Sequence, residues 1–271
     1  HKVAETIGKG IIDKDLVTPS VVFGALIGAM FWNVVTWWRG IPSSSSHALV
    51  GGLVGAGVAH AGLGGIQWAG LNKTVVAIFL SPMLGMLLSM LIMLASSWVF
   101  SSATPRGAEG SLKFLHIASS ATYSISHGLN DAQKTMGIIT VLLYSTGYLS
   151  GEFHVPHWVA ISCYVAIGLG TMSGGWKIIE TMGSRITKLS QHQGFSASTG
   201  GSIMVFTASL LGIPVSTTHT ITGAIVGVGA TQRASAVRWG VAGNIIWAWI
   251  LTIPASAFVA AIAYWISLQI F

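Results

Sequence analysis

Between two apolar runs, Leu112 to Ile125 and Met136 to Tyr148, the chain places His127-Gly128-Leu129-Asn130-Asp131-Ala132-Gln133-Lys134. An acid, an amide and a lysine inside a lipid-compatible stretch are costly, face a cavity rather than lipid, and mark ion or solute pathways. Each apolar arm is roughly 13 residues, about 20 Å at helical rise. That is short of the roughly 30 Å hydrocarbon core. The lengths therefore predict two half-helices meeting at a polar break at Asn130-Asp131, in preference to a surface loop between two short helices.

Composition extends that constraint to the whole chain. Only 7% of the residues are charged and 52% are hydrophobic, with a mean hydropathy of +0.72. A soluble domain carries about 25% charged residues, so the expected fold class is all-α, a polytopic membrane protein with broken or re-entrant helices at the midplane. The 271 residues leave room for about eight passes or hairpins. The net charge of +6 is scattered through short loops, which points to anionic lipid and topology and away from nucleic acid. Charges are spread too evenly to fix orientation. The single cysteine, Cys163, excludes an intrachain disulfide and a cysteine metal site and reads as a small buried hydrophobe. The opening at His1, without methionine or signal peptide, reads as the start of a fragment.

Hydropathy places segments at Thr18–Trp38, Ser44–Ala61, Asn72–Phe100, Leu112–Tyr148, His157–Met172, Thr199–Leu211, Ser216–Ala230 and Val237–Ile270. The second and seventh are short and glycine-rich, as re-entrant elements are. The stretches Ser101–Gly110 and Ser184–Ser198 read as flexible connectors. Trp37, Trp38, Trp68, Trp158 and Trp176 fall near segment ends, where indoles anchor at headgroup level.

An internal repeat organises these segments. Lys2-Val3-Ala4-Glu5-Thr6-Ile7-Gly8 returns as Lys177-Ile178-Ile179-Glu180-Thr181-Met182-Gly183. Gly40-Ile41-Pro42-Ser43-Ser44-Ser45-Ser46-His47 returns as Gly212-Ile213-Pro214-Val215-Ser216-Thr217-Thr218-His219. The second register then holds at Gly51/Gly223, Val54/Val226, Gly55/Gly227, Gly57/Gly229, Asn72/Asn244 and Pro82/Pro254. Duplication of this kind is a mark of secondary-transporter architecture, with the site at the repeat interface. If each element between equivalent points crosses once, the number of crossings is odd and the repeats are inverted. Residues 1–110 are then the remainder of an amino-terminal repeat, and residues 111–271 a carboxyl-terminal repeat that carries the polar signature.

Three sets of residues carry candidate chemistry. Each Pro-Ser/Thr turn starts a helix, where free amides and the positive end of the dipole favour an anion. Ser44, Ser45 and Ser46 with Ser216, Thr217 and Thr218 would form two facing cradles for a tetrahedral oxyanion, against plain N-capping as the alternative. His47, His219 and His127 could relay protons or make structural hydrogen bonds. Asp131 either forms an ion pair with Lys134 or, with Asn130, offers oxygen ligands to a hard cation. No spacing suggests a catalytic metal, a nucleotide loop or a hydrolase elbow, so the chain reads as no enzyme and as needing no cofactor beyond a coupling ion.

Ser126 to Gly137 closely resembles the carboxyl-terminal signature of the inorganic phosphate transporter (PiT) family, and the paired turns resemble that family's phosphate turns. The resemblance covers essentially the whole chain. It implies a multi-pass protein of the cell membrane that carries inorganic phosphate in symport with Na⁺ or H⁺ by alternating access. Asn130 and Asp131 match the family's Asn-Asp pair and are expected to bind the cation. The hydroxyls of both turns, with Gln133 and Lys134, are expected to bind substrate. A permease for sulfate or another oxyanion is the alternative. Membrane lipid, a second copy of the chain and a soluble regulatory protein complete the expected partners. The family's amino-terminal Gly-Ala-Asn-Asp signature is not among these residues, and the repeat places the counterpart of Asp131 ahead of His1. Lys134 stands where many members have a second asparagine, so a lysine could here replace one cation electrostatically.

Overall fold

The computed structural model describes residues 2–270; His1 and Phe271, the outer ends of the two expected repeats, lie outside the described residues. It is helical, as expected. Among the described residues ten α-helices follow in order: α1 Lys2–Gly10, α2 Pro19–Arg39, α3 Ser45–Ala61, α4 Trp68–Val99, α5 Pro105–Ser145, α6 His157–Met172, α7 Trp176–Glu180, α8 Gln191–Leu211, α9 Thr217–Gln232 and α10 Trp239–Ile270. Among the described residues, α2, α4, α8 and α10 are long and apolar enough to cross a bilayer, and α6 passes the same test only together with the segment Trp176–Arg185, to which it is bent by 71°, as a broken span or a re-entrant loop is.

Local chemistry sets the ends of these helices. Thr18 accepts a hydrogen bond from the Val21 amide and Pro19 follows it, so α2 starts with both N-terminal signals. Two stretches expected as connectors are helical in part: residues 101–104 and 186–190 do connect, but the rest of each stretch is helix. Ser190 and Gln193 form a reciprocal capping box, which starts α8 well before its apolar part. Thr104 caps α5 and Pro105 opens it. Hydropathy underrated both because caps are polar by nature.

The expected break at Asn130-Asp131 is also corrected: α5 runs unbroken for 41 residues through Gly128, Asn130 and Asp131. Asp131 and Lys134 need no opened backbone, because partners on their own helix and on neighbouring segments satisfy them. The half-length elements are instead α3 and α9, of 17 and 16 residues.

The order α1 to α4 recurs as α7 to α10, and equivalent helices have closely similar lengths: α2 and α8 have 21 residues each, and α4 and α10 have 32 each. Contacts fix their directions. His116 meets Gln191, Ser120 meets Ser198 and Asn130 meets Ser209, so α5 runs parallel to α8. Ile138 and Val141 near the end of α5 pack beside Val17 and Val22 at the start of α2. Thus α2 and α8 point in opposite directions, and the repeats are inverted.

The repeats also interlock. Helix α3 packs along α10 of the other copy, and α9 along α4. Small residues let the backbones touch, as in other membrane bundles. A Cβ added at Gly55 would lie 2.1 Å from the Ala257 carbonyl oxygen, and one at Gly223 would lie 2.1 Å from that of Pro82. Alanine at either glycine must therefore push the helices apart, at about 1–3 kcal/mol. Gly55→Ala and Gly223→Ala are expected to lower the thermal unfolding midpoint in detergent. Gly243→Ala, whose Cβ would meet nothing within 4 Å, is expected to leave it unchanged.

Candidate functional site

Each helix-opening turn has the same construction. Helix α2 ends in Gly40 at φ 68°, and α8 ends in Gly212 at φ 72°. Two residues later a proline turns the chain, and a serine caps the next helix. The Ser44 hydroxyl accepts from the His47 amide at 3.3 Å, and Ser216 Oγ from the His219 amide at 3.1 Å. Capping therefore engages Ser44 and Ser216 and leaves the next two hydroxyls of each turn, Ser45 with Ser46 and Thr217 with Thr218, uninvolved in the cap beside the free amides of the first turn.

The two helix starts lie side by side. The rings of His47 and His219 meet edge-on with centroids 4.2 Å apart, and His219 stacks on Trp249 at 3.6 Å. Trp249 Nε1 donates to the Pro42 carbonyl at 3.0 Å, which ties α10 to the first turn. Neither ring nitrogen of His47 has a hydrogen-bond partner among the described residues.

Helix α5 supplies the charges. Lys134 Nζ donates to Asp131 Oδ1 at 2.6 Å, to Ser46 Oγ at 2.5 Å and to the Val215 carbonyl at 2.7 Å. An ammonium has three N–H donors, so all are engaged, one on each of three chain segments. Asp131 Oδ2 accepts from Thr217 Oγ1 at 3.2 Å and lies 2.9 Å from His127 Nε2. The ion pair is deep, with the lysine side chain 3% exposed and the aspartate 12%. Asn130 donates to Ser209 at 2.8 Å and Gln133 to the Leu129 carbonyl at 3.0 Å. Their amide oxygens, Asn130 Oδ1 and Gln133 Oε1, are buried without a donor among the described residues.

Asp131, Ser45 and Thr135 form a wall shared by two cavities. One, of about 540 Å³, also reaches His127, Cys163 and Ala166. The other, of about 170 Å³, reaches Ser46, Lys134 and Asn33 on the α2 side. Ser45 is exposed to them and Thr218 is half-buried. In the repeat these two correspond to Thr217 and Ser46, the hydroxyls that contact Asp131 and Lys134.

The structure thus gathers Ser45, Ser46, Thr217, Lys134, Asp131 and His127 at one place, with His47 and His219 directly behind. Asn130 and Gln133 turn toward α8 and the α5 backbone. Sequence reasoning missed Tyr123, whose hydroxyl donates to the Thr217 carbonyl at 2.9 Å. Tyr123, His127 and Asp131 recur at helical spacing on one face, a signal hidden by the expected break. Trp249 and the Val215 carbonyl carry no comparable sequence signal.

A model of the phosphate transporter family matches residues 1–109 and 101–260. A probable low-affinity inorganic phosphate transporter of Rhizobium meliloti is 60% identical over 262 residues, covering 97% of this chain and 78% of that protein. One of Bacillus subtilis is 40% identical over 271 residues, covering 99% and 81%. A solved structure described as the sodium-dependent phosphate transporter superposes with a TM-score of 0.89 at 26% identity, over all of this chain and 86% of that one.

Proposed function

The chain belongs to the phosphate transporter family, and from that premise we propose that it carries inorganic phosphate across the cell membrane in symport with a cation, by alternating access between its inverted repeats. The division assigned to these repeats is residues 1–110 and 111–271, with the change-over inside α5, after its first six residues. The observation that carries the reading is the convergence of the α3 and α9 N-termini on the Asp131–Lys134 pair.

Phosphate docks between the two helix starts. Ser45, Ser46, Thr217 and Thr218 donate to its oxygens together with the amides of the first turns, while Ser44 and Ser216 hold those turns in shape. Anion binding at helix starts needs no fixed counter-charge, but burial in lipid does. Asp131 and Lys134 cancel, so a phosphate monoanion brings one uncompensated negative charge. A cation beside Asp131 removes it, and this neutralisation is the coupling. The unpartnered Asn130 Oδ1 supports a cation role for Asn130, because a buried oxygen without a donor is an acceptor awaiting a partner. Lys134, Gln133, His127, His47 and His219 complete the site. Lys134 exchanges one of its three present acceptors for phosphate, and the histidines carry a proton where the coupled ion is H⁺. The cavities on either side of Asp131 suit a site reached from two directions in turn.

Radiolabelled phosphate uptake into proteoliposomes tests this, with a Na⁺ gradient, a proton gradient alone, and sulfate as competitor. Asp131→Asn is expected to abolish accumulation above equilibrium, and wild-type uptake would refute its role. Because removing one partner of a buried pair is destabilising by about 3–5 kcal/mol, Asp131→Asn with Lys134→Met serves as the charge-balanced variant that should fold and still fail to accumulate. Lys134→Asn is expected to change the cation dependence of uptake, and an unaltered dependence would show that the ammonium replaces no ion. Ser216→Ala combined with Thr217→Ala is expected to raise the apparent phosphate constant about tenfold or more, the scale of losing hydrogen bonds to a charged group.

A further inference from the structure

The two turns are held from outside by a reciprocal pair of hydrogen bonds. Thr6 Oγ1 of α1 donates to the Gly212 carbonyl at 2.8 Å, and Thr181 Oγ1, just after α7, donates to the Gly40 carbonyl at 3.0 Å. Thr6 and Thr181 are equivalent in the repeat, as are Gly40 and Gly212, so each repeat clasps the other's turn. Both glycines close a helix with the same bonds. The Gly40 amide lies 3.1 Å from the Trp37 carbonyl and that of Ile41 2.9 Å from Thr36; the Gly212 and Ile213 amides lie 3.2 Å and 2.9 Å from Ser209 and Ala208. Each clasped carbonyl thus lies past the end of its helix, where no amide of the next turn can reach it. The fit is tight on both sides, because a Cβ at Gly40 would come within 2.7 Å of Lys177 Cβ, and one at Gly212 within 2.9 Å of Lys2 Cβ.

Each threonine hydroxyl also reaches a carbonyl of its own helix. Thr6 Oγ1 lies 3.1 Å from the Lys2 oxygen, and Thr181 Oγ1 lies 2.9 Å from the Lys177 oxygen. A hydroxyl has one proton, so it can leave the turn and keep an acceptor. The bond is therefore a cheap one to release. Because α2 and α8 are antiparallel, they reach the shared centre from opposite sides, so their C-terminal ends, and with them the two clasps, point in opposite directions across it.

We propose that Thr6 and Thr181 are positioning residues that act as paired latches: each holds one hydroxyl turn closed, and release of one opens the site toward its own face. The proposal rests on the alternating-access reading above, yet it can be tested without transport. Cys163, the one cysteine in the sequence, lines the 540 Å³ cavity beside Asp131 and reports on access. Its rate of modification by a membrane-impermeant methanethiosulfonate would be measured from each face of reconstituted vesicles for Thr6→Val, Thr181→Val, both serine variants and the wild type. The valine variants are expected to raise labelling from opposite faces, each about fivefold, the scale of one net hydrogen bond. Serine, which keeps the hydroxyl, restores the wild-type rate. Phosphate uptake by the valine variants should then change in kcat more than in KM. Labelling that does not change, or that changes from the same face in both variants, overturns the proposal. So does a fall in unfolding midpoint with serine failing to restore the rate. Loss of the phosphate reading would appear separately, as wild-type protein that labels normally but accumulates no phosphate.

Discussion

The Lys134 ammonium has three N–H groups and directs them to three different chain segments: the carboxylate of its own helix, the Ser46 hydroxyl at the start of α3, and the Val215 carbonyl just before α9. With the lysine side chain 3% exposed, little water is on hand to replace any of these bonds. Taking the lysine away would leave Asp131 as an unpaired buried charge and Val215 as an orphan carbonyl, and it would unfasten two helix starts from the helix between them. The arrangement of α3, α5 and α9 therefore follows from one cation being fully satisfied. Thr217 and His127 satisfy the other carboxylate oxygen.

What surrounds that centre is built for close approach. Helices α3 and α9 each pack against a long helix of the opposite repeat, with glycines where backbone meets backbone. Such an interface is held by dispersion and geometry rather than by the hydrophobic effect, which has no force between helices already in lipid. It is rigid to separation, since small residues leave nothing to fill a gap. Motion is easier as a sliding or rocking of one interlocked unit than as a parting of helices. The helix starts carry the amides and hydroxyls, and α5 carries the charges, so a relative displacement of these elements would alter both at once.

Much of this architecture is legible in the sequence. The repeat can be read because equivalent turns must present the same proline, serine and glycine at the same spacing, and the glycines of α3 and α9 keep one register for the same steric reason. His157–Met172 is placed to the residue, since both its ends are marked by abrupt loss of apolar character. The polar signature singles out Asp131 and Lys134 because an ionisable group in lipid is too costly to stand outside a site or a buried pair. The continuity of α5 is not legible: arm lengths count only apolar residues, and a helix whose charged groups are partnered by neighbouring elements needs no apolar ones there. Nor can sequence show that Lys134 is saturated, because two of its three acceptors come from Ser46 and Val215, each more than 80 positions away.

That saturation bears on how the chain compares with the sodium-dependent structure it resembles. A hard cation in a membrane site is held by carboxylate, hydroxyl and carbonyl oxygens. The three oxygens around Nζ are one of each: Asp131 Oδ1, Ser46 Oγ and Val215 O, at 2.6, 2.5 and 2.7 Å. An ammonium on a tether thus satisfies the ligand set that a free monovalent ion would use, but it cannot leave with the substrate. On the proposed reading, a site so filled contributes charge compensation without contributing a transported ion, and any ion that moves must be held elsewhere. The candidates are the unpartnered Asn130 amide oxygen and the carboxylate edge shared by His127 and Thr217. The first suits a metal cation, because it offers only lone pairs. The second suits a proton, because His127 can hold one beside a carboxylate already bridged by hydrogen bonds.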